Sequence, residues 1–139
     1  MRRSVGSAVV MMMLAGLVRP AWSACGDDLP ARWRLEATVR DQRVVFAPRG
    51  GPIPLGRLFA IDVVVCPAPG AQTVTQLRVD ADMPAHKHGM NYRTTVKPLG
   101  DARFGVEGLM FHMPGRWRFL FEIDAAGQAL RAEREVELQ

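Results

Sequence analysis

The stretch "RWRFLFEI", residues 116–123, puts Trp117, Phe119, Phe121 and Ile123 on one side of an extended chain and Arg116, Arg118, Leu120 and Glu122 on the other. An apolar period of two is the mark of a half-buried strand, because successive side chains of an extended backbone point to opposite faces, whereas a helix would scatter these four residues around its axis. A face of three aromatics and an isoleucine needs a second apolar layer to cover it, so the rest of the chain must supply one.

It does so in the same period. "RLFAIDVVVC" (57–66) lines up Phe59, Ile61, Val63 and Val65, and "TVTQLRVDADM" (73–83) lines up Leu77, Val79, Ala81 and Met83. "ARFGVEGLM" (102–110) aligns Phe104, Val106 and Met110, and "RWRLEATVR" (32–40) aligns Trp33, Leu35, Ala37 and Val39. "QRVVFAP" (42–48) and "YRTTVKP" (92–98) are shorter strands, while "ALRAEREVELQ" (129–139) has an alanine and glutamate content that also suits a helix. Between these runs stand the turn segments "PRGGPIPLG", "PAPGAQ", "PLGD", "HMPG" and "DAAGQ". Seven to eight short strands punctuated in this way predict an all-β fold, an antiparallel β-sandwich with an immunoglobulin-like arrangement.

The first 23 residues read differently. "MRR", the apolar run "VGSAVVMMMLAGLV" and "RPAWSAC" form a charged region, a hydrophobic region and a small-residue cleavage zone, the layout of a signal peptide. Cleavage after Ser23 leaves a domain over 24–139 and predicts a periplasmic protein. The formal charge of +4 then falls to +1, because the leader carries three arginines and no acid. The remaining arginines are scattered among acidic residues, which argues against nucleic-acid binding. In an oxidising compartment Cys25 and Cys66 read as one disulfide; a lipid-modified Cys25 is the competing reading.

The chemistry-bearing residues are concentrated. All three histidines lie in "MPAHKHGM" (83–90) and "FHMPGRW" (111–117), each beside methionine. Strands that cross a sandwich deliver their loops alternately to its two ends, so the segments 83–91 and 111–115 are expected at one pole and the loop after Cys66 at the other. A set drawn from His86, His88, Met90 and His112, with Met83 and Met113, suits copper: thioether sulfur is soft and selects Cu(I), while imidazole binds both oxidation states. Ca²⁺ and Mg²⁺ would want carboxylates, and Zn²⁺ prefers cysteine, histidine and carboxylate. Met83 continues an inward strand face, which favours core packing over ligation for that residue. His112 and Met113 are neighbours, which on a regular strand would point opposite ways. Asp80 and Asp82 are candidates to orient a histidine. No serine or cysteine nucleophile sits in a catalytic context, so an enzyme is not expected.

Residues 80–123, through "MPAHKHGM", "FGVEGLMFHMPG" and "GRW", resemble the YtkA-like domain family, exported immunoglobulin-like sandwiches related to the FixH-like proteins. The resemblance implies copper handling in the cell envelope, with His86, His88, Met90 and His112 as leading ligands and an envelope cuproprotein or haem protein as partner. A metal-free accessory module that docks on an electron-transfer or transport partner is the alternative.

Overall fold

The computed structural model describes residues 21–139; the signal-peptide expectation for residues 1–20 lies outside the described residues. Residues Ala21–Ala24 form one helical turn, α1, and nine strands follow: β1 Leu35–Val39, β2 Gln42–Pro48, β3 Leu58–Pro67, β4 Val74–Met83, β5 His88–Gly89, β6 Thr95–Gly100, β7 Arg103–Met110, β8 Gly115–Ala125 and β9 Gln128–Leu138. They build two antiparallel sheets, β1-β2-β3-β7-β6 and β5-β4-β8-β9, in a sandwich-like arrangement. Against the seven to eight strands expected, the additional one is the two-residue β5 inside the histidine loop. The segment 129–139 is strand rather than helix, because pairing along the whole of β8, from Ala125↔Gln128 to Gly115↔Leu138, outweighs the helical preference of its alanines and glutamates.

The alternation in β8 is realised without a break: Trp117, Phe119, Phe121 and Ile123 are all buried, and Phe59, Ile61, Val63 and Val65 of β3 face them across the core. Phe46 of β2 sits between the layers, 5.0 Å from Phe119 and 4.8 Å from Phe121 by ring centroids. From there an aromatic file runs outward, with Phe59 5.1 Å from Phe111 and Phe111 stacked on Trp117 at 4.6 Å.

One alternation fails. Met110 was aligned with Phe104 and Val106 by counting, yet it is half-buried while Leu109 and Phe111 are fully buried. The cause is a bulge: Phe59 pairs with Leu109 and Ile61 with Val106, so β7 has one residue more than β3 between these pairs. Gly108 lies there with φ +87°, and a Cβ would come within 2.7 Å of the Arg93 carbonyl oxygen. The bulge turns Phe111, rather than Met110, toward Trp117.

The outer faces of the two sheets are treated in opposite ways. On the four-stranded sheet, outward residues form ion pairs: Arg118 with Asp82 and Glu133, and Glu122 with Arg78 and Arg131. On the five-stranded sheet the outward residues Val45, Ala47, Val64 and Cys66 are apolar, and they form a second buried cluster with Leu29 and Cys25 of the N-terminal segment. That explains why "VVFA" and "VVVC" are continuous apolar runs: both faces of β2 and β3 are covered. Cys25 and Cys66 are joined by a disulfide, Cα to Cα 6.0 Å, at the end of β3 opposite to Leu58.

Candidate metal centre

The site is assembled from two loops at the pole reached by the aromatic file. After Met83 the chain makes one turn of 3-10 helix, Pro84–His86, which Lys87 ends in a left-handed conformation, φ 54°. His88 then pairs back on Met83 and Gly89 on Asp82. This tight hairpin leaves the ring centroids of His86 and His88 5.8 Å apart.

The second loop leaves β7 at Met110 and enters β8 at Gly115. Phe111 is buried, while His112 is exposed at the pole. The His112 ring lies 5.3 Å from that of His88, and the Met113 side chain contacts His88 as well. Opposite orientation of His112 and Met113 holds only on a regular strand, and 111–114 is not one. The Trp117 indole N–H donates to the Met113 carbonyl at 2.9 Å, which holds the irregular turn in place. His88 Nδ1 is 3.1 Å from the Gly89 carbonyl oxygen. A carbonyl only accepts, so Nδ1 carries the proton and the Nε2 lone pair is left free for a metal.

These distances fit a shared ion. With metal–nitrogen bonds of about 2.0–2.1 Å, an imidazole centroid stands about 3.2 Å from the metal, and two such rings are separated by about 5–6.4 Å over bond angles from near tetrahedral to linear. The pairs His88–His112 at 5.3 Å and His86–His88 at 5.8 Å both fall in this range. His88 is thus the common member. Among the described residues no group of three or more His, Cys, Asp or Glu is arranged to hold a metal; the soft donor in contact with His88 is the Met113 thioether.

The other named residues have contacts of their own. Met83 is 1% exposed and belongs to the core, with its Cε packed toward Gly115. Met90 sulfur accepts a hydrogen bond from the Met110 N–H at 3.5 Å, and its side chain lines a groove beside Tyr92 and Thr94. Asp82 is held by Arg118 through two hydrogen bonds of 2.7 and 3.0 Å, and Asp80 accepts from the Ala81 N–H, so neither carboxylate is committed to a histidine. Counting along the sequence missed Trp117 as a member of the site. Its indole centroid is 5.3 Å from His112 and 6.0 Å from His88.

Comparison with known proteins adds little to the geometry. No family model matches the chain, and no curated protein does. A similar solved structure is a DUF4426 family protein from Pseudomonas aeruginosa PAO1, at 10% identity and a TM-score of 0.48, over 79% of this chain and 99% of that one. The YtkA-like, FixH-like assignment is therefore corrected: no model of that or any other family matches the chain. Unrelated proteins share the sandwich architecture and its alternating strands, so this part of the resemblance lacked the specificity to define a family. At this level of similarity the DUF4426 likeness lends the chain no function either, and the chemistry of the pole must be argued from its own residues.

Proposed function

We propose that this protein is an exported copper-binding protein, a carrier or buffer, which holds one ion between His88 and His112 with Met113 beside it. The observation that carries the reading is the 5.3 Å spacing of the two imidazoles, with a thioether in contact with one of them. Two nitrogen ligands and one soft sulfur match copper better than zinc or a hard cation. A site with few protein ligands at an exposed pole suits transfer, since an incoming group can reach the ion without unfolding the sandwich. His86 stands next to His88 as a second landing point. The periplasm is the compartment proposed, on the strength of the leader and the disulfide.

Competition titration against a Cu(I)-specific and a Cu(II)-specific chelator tests the reading. One equivalent should bind, and His88→Ala should abolish stoichiometric binding while His86→Ala weakens it less. Copper affinity unchanged by His88→Ala would remove the site. Tighter binding of Zn²⁺ than of copper would remove the metal assignment.

A further inference from the structure

Trp117 is fully buried, yet its ring stands in contact with the half-buried imidazole of His88 and the exposed imidazole of His112. The centroids of His88, His112 and Trp117 form a nearly equilateral triangle with sides of 5.3, 5.3 and 6.0 Å. An ion about 3.2 Å from both imidazole centroids lies within about 2 Å of their midpoint, and that midpoint is about 5 Å from the indole centroid. Any ion shared by the two histidines is then about 3–7 Å from the indole, overlapping the range in which a cation and an aromatic ring interact. Phe111 backs the indole at 4.6 Å and nearly parallel, so the ring is fixed and not free to swing away.

We propose, resting on the copper reading above, that Trp117 is the oxidation-state-selecting wall of the site, making it a Cu(I) rather than a Cu(II) centre. Indole nitrogen is a hydrogen-bond donor with no lone pair to offer, and here its N–H is spent on the Met113 carbonyl. The ring therefore fills one side of the ion without ligating it. Cu(II) favours square-planar or tetragonal nitrogen and oxygen ligation and loses a position that water would otherwise take. Cu(I) is content with few, soft ligands and loses nothing. The same hydrogen bond fixes the turn that carries Met113, so the wall and the thioether act together.

The test uses the full mature chain with its disulfide intact. In the mature chain, which begins after Ser23, a Trp33→Phe background leaves Trp117 as the sole indole; the parent and its Trp117→Leu and Trp117→Phe derivatives are titrated with Cu(I) and with Cu(II) against competing chelators. One equivalent of Cu(I) should quench most of the Trp117 emission. Trp117→Leu should lower the ratio of Cu(I) to Cu(II) affinity by about tenfold or more, as changes around a metal's ligands do, while Trp117→Phe, which keeps a ring there, should retain most of it. Stoichiometric copper binding with unchanged emission, or an unchanged affinity ratio in Trp117→Leu, overturns the wall and leaves the copper site standing. Absence of copper binding in the parent overturns both. Should Trp117→Leu fail to fold, the parent's emission decides.

Discussion

Opening the Cys25–Cys66 disulfide should cost this fold a large part of its stability and leave the histidine pole intact. The bridge closes a loop with a sequence separation of 41. Chain entropy for a loop of that length amounts to about 4 kcal/mol at 25 °C. Small domains are stable by only about 5–15 kcal/mol, so the loss is a substantial fraction of the total. With a urea m-value of about 2 kcal/mol/M, the unfolding midpoint should fall by about 2 M. The suitable variant is Cys25→Ser with Cys66→Ala, because Cys66 is 1% exposed and a buried hydroxyl there would add its own penalty. Urea unfolding followed by tryptophan emission, for this variant and for the oxidised parent, gives the two midpoints. Copper affinity should match the parent within a factor of about two, since β3 carries Cys66 near one end and Leu58, paired with Met110 beside the histidine loop, at the other. A midpoint shift below about 0.5 M would refute the loop-entropy reasoning. A shift of the expected size with copper binding lost would refute the independence of the poles.

Met113→Leu should weaken Cu(I) binding more than Cu(II) binding, because only the softer ion depends on sulfur; equal losses in the chelator competition would exclude the thioether as a ligand. Gly108→Ala should destabilise the protein by about 1–3 kcal/mol in urea unfolding, since the position combines positive φ with a carbonyl 2.7 Å from the added carbon. Glu122 is held below the ordinary carboxylate range by hydrogen bonds from Arg131 and then Arg78, and Asp28 by one from Arg103. A depressed folded-state value means that these groups stabilise the fold above about pH 4.3 and lose the contribution as pH falls through the folded values. Glu122→Gln should therefore flatten the acid limb of the midpoint-against-pH curve below about pH 4.3, and only slightly, because Arg78 and Arg131 are largely exposed and solvent screens the pairs.

The core was legible because its code is short-range. Alternation in 116–123 and 57–66 maps directly onto burial, since each residue's face is set by its own backbone. The same code failed at Met110, where a single inserted residue reverses every later position and no composition signal separates Gly108 from a glycine that merely weakens a strand. The pairing of the two histidine loops at one pole followed from strand parity alone. Which of the methionines joins them did not follow, because that depends on the 3-10 turn after Met83 and the irregular segment 111–114, whose geometry is set by tertiary contacts. Trp117 was read as core, which it is; that a core residue also forms the floor of a surface site is visible only once the sheets are stacked.

The N-terminal cover on the five-stranded sheet has a consequence for how the chain must be made. Until residues 25–29 dock, Val45, Ala47 and Val64 present an apolar stripe on the outside of a sheet that is already paired, and such a stripe invites association with other chains. Cys25 is the residue that tethers the cover beside this stripe. Oxidation is then expected to serve solubility as well as stability: with thiols reduced, the cover is held only by contacts such as buried Leu29 and the Asp28–Arg103 ion pair, and the soluble yield should fall with the redox potential of the compartment.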